Sequence, residues 1–119
     1  MPDAVTIHLA GERPMSWNKS YAGMHWSDRK READRVHQLV ACFCPPDSMF
    51  DVPVHILVRV AFDKKPIDPD NIAVKYYIDG IKGRIISDDT LRQVQSVTVE
   101  GSVGPEPYVE IMVSPDRRW

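Results

Sequence analysis

Only two cysteines occur in 119 residues, Cys42 and Cys44. Their C-x-C spacing at an apparent helix end fits core thiols better than a disulfide or half a zinc site. Zinc would need two further ligands, and His37, five residues before Cys42, is poorly spaced to share one. No basic flank followed by an apolar core opens the sequence, so no signal peptide is expected and the expected compartment is the cytoplasm. No apolar run is long enough for a membrane span. The longest pattern, Val52 to Phe62, is too short and is interrupted by His55 and Arg59. Internal repeats, low-complexity stretches and domain linkers are also lacking. A large excess of either charge is missing too: the formal net charge is −2. Global charge therefore does not advertise a nucleic-acid partner.

The remaining composition, 43% hydrophobic and 27% charged, is that of a soluble globular chain. The length suits one domain over residues 1–119, with room for a core that needs no disulfide or zinc. Charge is unevenly spread. Residues 1–31 sum to +2, residues 32–63 to −3, and residues 64–92 to +1 although they contain five aspartates. Those aspartates stand among Lys64, Lys65, Lys75, Lys82, Arg84 and Arg92. Acids gathered for a metal and ringed by cations suit a phosphate-handling site. A mixed-charge surface is the plain alternative.

Periodicity predicts an α/β domain: a mixed β-sheet with two main helices, in the order β-α-β-α-β-β. Val5, Ile7 and Leu9 alternate with Thr6 and His8 as a first strand. Residues 10–24 read as a loop. A helix follows from Ser27, its apolar face built from Ala33, Val36, Leu39, Val40 and Phe43, and stops at Cys44-Pro45-Pro46. Trp26 is expected to pack the entrance of that helix. Residues 52–62 alternate as the clearest strand. A second helix is expected from Asp70 or Asn71 to Lys82-Gly83. Strands over 94–100 and 107–113 complete the set, and Ser114–Trp119 reads as a loose tail.

The most informative feature is acidic. Asp68-Pro69-Asp70-Asn71 is followed, eighteen residues after Asp70, by Asp88-Asp89. Converging carboxylates hold a hard divalent cation such as Mg²⁺, which leaves room for water and phosphate. That chemistry points to phosphodiesters. A helix from Asn71 to Ile81 is about 16 Å long. Six extended steps from Lys82 to Asp88 span roughly 20 Å. A return along the helix would therefore bring the two acidic pairs together. Asp79, on the other side of that helix, reads as a supporting acid near Lys75 or Lys82. Taken separately, each acidic stretch is also an ordinary turn. An EF-hand does not fit, because the glycine position is Ala73 and the twelfth position is Asp79.

Asp68-Pro69-Asp70-Asn71-Ile72, Ile78-Asp79-Gly80-Ile81 and Ile86-Ser87-Asp88-Asp89 together resemble the RusA family of Holliday junction resolvases. Trp17-Asn18 and His25-Trp26 are similar to its phage-borne members, and the resemblance covers about residues 3–113. It implies a homodimer that uses Mg²⁺ or Mn²⁺ to resolve four-way DNA junctions by paired nicks; the lack of a membrane-length apolar run separately predicts no membrane partner. The resemblance carries metal ligation onto Asp68, Asp70 and Asp89, with Asp88 as adjacent support. The family's functional lysine falls on Val74, so the next residue, Lys75, is the candidate, with Lys64 and Lys65 as alternatives. The Asn71–Asp79 interval is one residue longer than the family pattern. Two other readings stand beside this one. One is a junction or single-strand binding module without catalysis. The other is a metal-dependent hydrolase of a different phosphodiester.

Overall fold

A computed structural model describes residues 3–118. Strand β1 (Val5–Ala10) buries Val5, Ile7 and Leu9 and exposes the alternate residues, as its two-residue period requires. The expected loop over residues 10–24 contains a short helix, α1 (Trp17–Ala22). Ser16 caps it, its hydroxyl accepting from the Lys19 N–H at 3.1 Å. Only Ser20 of α1 is buried, so no apolar stripe marks it.

Helix α2 (Trp26–Phe43) begins one residue earlier than expected and is capped by His25, whose Nδ1 accepts from the Ser27 N–H. Val36 and Val40 are its buried face, whereas Phe43 is 52% exposed. Cys42 is exposed, Cys44 is partly buried, and both are free thiols; the expectation of two core thiols is corrected for Cys42.

Strand β2 (Val54–Phe62) is the central strand. It is followed by a 3₁₀ turn over Pro69–Asn71 and helix α3 (Lys75–Ile81), then β3 (Val94–Val103) and β4 (Tyr108–Pro115). The sheet order is β1-β4-β2-β3. β2 and β3 are parallel, and β4 runs antiparallel to both β1 and β2. The chain leaves β3 across the end of β2, where the Gly104 N–H donates to the Phe62 carbonyl at 2.9 Å, and lays β4 on the other side. The architecture is thus the expected mixed sheet with two main helices. Val36, Val40, Tyr77 and Ile81 pack on one sheet face against Ile7, Leu9, Ile56, Val58, Val109 and Ile111. Two layers around one core follow from helices and strands that each have one apolar face.

The tail is anchored, contrary to expectation, through residue 118. β4 runs to Pro115, the Asp116 N–H donates to the Pro53 carbonyl at 2.8 Å, and the buried Asp116 carboxylate accepts from Arg118. Trp119 lies outside the described residues. No helix among the described residues is long and apolar enough to cross a membrane.

Candidate active site

The expected second helix is split. Asp68 stands before the 3₁₀ turn, Asp70 lies in it, and Ile72 is extended before α3 begins. The cause is tertiary. Ile72 and Ala73 are buried, Ile72 bridges Ser16 antiparallel, and the Ala73 N–H donates to the Met15 carbonyl at 2.9 Å. Helical geometry here would give up that bridge. Neither Asp70 nor Asn71 caps α3, since its cap position is Val74. Asn71 instead accepts the Asn18 N–H on Oδ1 at 3.2 Å, tying the motif to α1.

The return from α3 also differs. Gly83 has φ +80°, a left-handed conformation that glycine adopts without strain, and the chain doubles back at once. The N–H of Ile85 donates to the Ile81 carbonyl, and Ile85 and Ile86 are fully buried at the end of the helix. Asp88-Asp89 therefore stays beside the C-terminus of α3 and does not run back to its start. Pro69 lies against β3 near Gly101, where an added Cβ would come within 3.7 Å of the proline ring. Asp88 lies beside Gln93, just before β3, with its N–H 3.1 Å from the Gln93 side chain. The eight steps from Gln93 to Gly101 span about 26 Å. Asp68 and Asp70 thus lie at one end of β3 and Asp88 and Asp89 at the other.

Around Asp88-Asp89 side-chain hydrogen bonds hold the turn. The buried Gln93 accepts the Ser87 N–H at 2.7 Å, the Ser87 hydroxyl at 2.8 Å and the Asp88 N–H at 3.1 Å, and its own amide donates to the Phe50 carbonyl at 2.8 Å. One glutamine thereby fixes the acidic turn. The Asp88 carboxylate accepts the Asp89 N–H at 2.8 Å. The Lys82 ammonium lies 3.3 Å from Asp89. Its pKa is raised, chiefly by hydrogen bonding to Asp89 and by that charge, with Asp79 and Asp88 adding. Partial desolvation pushes the Asp89 carboxyl up, but the Lys82 hydrogen bond and charge outweigh it, so the net shift is downward. Lys75, the first residue of α3, pairs with Asp79 at 3.4 Å. Asp79 thus stands near both lysines, as its position in the sequence suggested.

Two features escaped sequence reasoning. Glu12 is buried and accepts two hydrogen bonds from Arg35, at 3.0 and 2.9 Å, and one from the Tyr77 hydroxyl at 2.6 Å. Its partners are 23 and 65 residues away, so no local pattern announces them. Beside this network runs a groove of about 590 Å³ whose walls include Arg13, Lys19, Arg35, Lys64 and Lys65. Arg13 pairs with Asp63, and Arg35 with Glu12 and Glu32, while Lys19, Lys64 and Lys65 form no ion pair among the described residues. Ile67, next to Asp68, also lines the groove, so the cations adjoin the first acidic pair.

Oxygen-only donors of this kind suit Mg²⁺ or Mn²⁺. A single chain, however, presents them as two separate pairs, and Asp89 is already neutralised by Lys82. No three His, Cys, Asp or Glu side chains gather as a metal-binding group among the described residues. One chain in this arrangement does not supply the full ligand set of Asp68, Asp70 and Asp89. Asp68, Asp70 and Asp88 are exposed, so both pairs remain accessible. No protein-family model matches the chain, and no curated protein matches it.

Proposed function

We propose that the chain is a metal-dependent endodeoxyribonuclease that resolves four-way DNA junctions as a homodimer. The observation that carries this reading is the motif set itself. Asp68-x-Asp70-Asn71, an Asp inside the following helix and Asp88-Asp89 occur in the order seen in RusA-type resolvases, at nearly their spacing. The basic groove beside Asp68 supports it, because Lys19, Lys64 and Lys65, which form no ion pair among the described residues, suit a phosphate backbone. Lys75 heads α3, five residues beyond Asp70, and would have to leave its pair with Asp79 to act on a phosphate held near Asp68 and Asp70.

The dimer follows from the paired-nick chemistry and the resemblance, and it would reconcile the two separate acidic pairs with one shared site. In an isologous pair, Asp68 and Asp70 of one copy can face Asp88 and Asp89 of the other, twice over. Two such sites suit a junction whose strands are related by a two-fold axis. The deciding experiment is a labelled four-way junction incubated with Mg²⁺ or with EDTA. Paired nicks are expected with Mg²⁺ alone, and cleavage in EDTA would reject the reading. Mixing inactive Asp70→Asn with inactive Asp89→Asn protein tests the shared site. Sites split across the dimer leave one intact site per heterodimer and restore nicking, whereas sites contained in one chain restore none.

The incomplete ligand set within one chain also favours a second reading, a junction-binding module without catalysis. Junction binding in EDTA, with no nick under either Mg²⁺ or Mn²⁺, would establish it.

A further inference from the structure

Two exposed aromatic residues, Tyr21 and Trp26, stand where α1 leads into α2, beside the partly buried Trp17. Trp17 and Tyr21, one turn apart on α1, stack with ring centroids 5.1 Å apart and planes 22° apart. The Arg29 guanidinium of α2 lies 5.5 Å from the Tyr21 ring centre. Trp26, one turn before Arg29, is tilted against His25 at 5.6 Å. Tyr21 is 59% exposed and Trp26 64% exposed. The expectation that Trp26 packs the helix entrance is therefore overturned. Exposed rings forfeit the burial that normally stabilises aromatic side chains, so packing does not explain their place here.

The surroundings indicate what covers them. Of the nearby cations Lys19, Arg29, Lys30 and Arg31, Lys30 pairs with Asp34 at 3.6 Å and Arg31 with Asp28 at 3.5 Å, which leaves Lys19 and Arg29 without an ion pair among the described residues. Three of these cations lie near the N-terminus of α2, where the helix dipole opposes them, so an anion there relieves the repulsion. Arg29 makes no ion pair with any described residue and instead rests on Tyr21. The platform is also tied to the first acidic pair. The Asn18 N–H donates to Asn71, Ser16 bridges Ile72, and Ser20 and Tyr76 share a hydrogen bond of 2.5 Å that pins α1 to α3.

We infer that Trp17, Tyr21, Trp26 and Arg29 form a stacking platform for unpaired nucleobases, set beside Asp68–Asn71. Aromatic faces accept any base, and the neighbouring cations hold the connecting phosphates. A second copy of the chain fits less well, because a two-fold contact would bring Arg29, Lys30 and Arg31 against their own equivalents. The inference deepens the nuclease reading and rests on it for the choice of DNA. It assigns selectivity for junctions and other DNA with unstacked bases over continuous duplex.

The test is tryptophan fluorescence of the full chain in EDTA, titrated with oligothymidylate and with an abasic strand of the same length. Quenching and tighter binding are expected for oligothymidylate. Trp26→Ala and Tyr21→Ala should each weaken that binding by about 5- to 100-fold, with the abasic strand little affected. Trp26→Phe, which keeps a ring, should retain most of it. Equal affinity for the two strands, or unchanged binding by both alanine variants, would overturn the platform. Conversion of a dimer to a monomer by Trp26→Ala, with base-dependent binding intact, would also overturn it and mark a contact between copies. Because no cleavage is needed, the two readings fail separately. Base-dependent binding without Mg²⁺-dependent nicking rejects only the nuclease, and nicking without base-dependent binding rejects only the platform.

Discussion

Lys82 and Asp89 face each other at 3.3 Å across the turn that closes α3. The ammonium neutralises Asp89, and its hydrogen bond and charge lower the pKa of that carboxyl. Lys82→Ala should therefore raise the Asp89 pKa toward an ordinary carboxylate, read by carboxyl NMR titration. A depressed carboxylate stabilises the fold above its unfolded pKa and loses that contribution as pH falls. Both side chains keep contact with solvent, at 40% and 28% exposure, so screening should keep the effect on stability small.

Asp70→Asn should abolish junction cleavage and leave the fold intact. The change is nearly isosteric, removes one negative charge, and touches an exposed residue that makes no cap. Far-UV dichroism and thermal unfolding should match wild type, while single-turnover cleavage falls below detection. Junction affinity should persist, because less negative charge then faces the phosphates.

Lys75→Ala tests the lysine assignment. Lys75 is more than half exposed and held by Asp79 in an i, i+4 pair. A lysine acting on charge that develops in the transition state loses rate, whereas one touching only backbone phosphate loses affinity and salt dependence. Single-turnover rate is expected to fall more than junction affinity. An unchanged rate would move the role to Lys64 or Lys65.

Tyr77→Phe should destabilise the protein by about 1.5–3 kcal/mol, the range for a hydrogen bond to a charged group. The phenol is buried and donates to Glu12 at 2.6 Å. Its pKa is pushed upward, first by burial and then by the Glu12 charge, so it stays protonated as a donor. Urea unfolding should show a lower midpoint with an unchanged slope.

Gly80→Ala should also destabilise, although alanine is the better helix former. Its Cβ would meet the Val40 Cβ at 3.1 Å and Cγ2 at 3.2 Å. Val40 is fully buried and β-branched, so it has little freedom to turn aside. The cost of overpacking, about 1–3 kcal/mol, exceeds the roughly 1 kcal/mol gain in propensity. In the Val40→Ala background the same change should cost less, and a double-mutant cycle in urea measures the coupling.

Asp116 provides a pH test. Hydrogen bonding to Arg118 is the largest cause that lowers its pKa, to about 2. The stability it contributes is fully present above its unfolded pKa, about 3.9, and is lost as pH falls through about 2. The stability difference between wild type and Asp116→Asn should therefore shrink across that window. A difference that stays constant from neutral pH to pH 2 would show that Asp116 acts without its charge.

Alternation and helical period are local properties, and they determined β1, β2 and the buried Val36 and Val40 stripe of α2. The acidic motif was equally legible, because it needs only residue identity and spacing. The short helix α1 was not, since a six-residue helix with one buried residue has no period to read. Ser16, a good cap ahead of Trp17, was its one local signal.

Side-chain type and local spacing are enough for the α/β class, the element order and the set of candidate carboxylates and lysines. Tertiary structure alone decided where those groups stand. Burial of Ile72 and Ala73 against residues 15–16 broke the expected helix. Burial of Ile85 and Ile86 at the end of α3 turned the chain back early and kept Asp88-Asp89 there. The Gln93 amide, the Glu12–Arg35–Tyr77 network and the exposure of Trp26 depend on partners distant in the chain. Contacts of that kind arise only when packing brings separate segments together, and no local pattern encodes them.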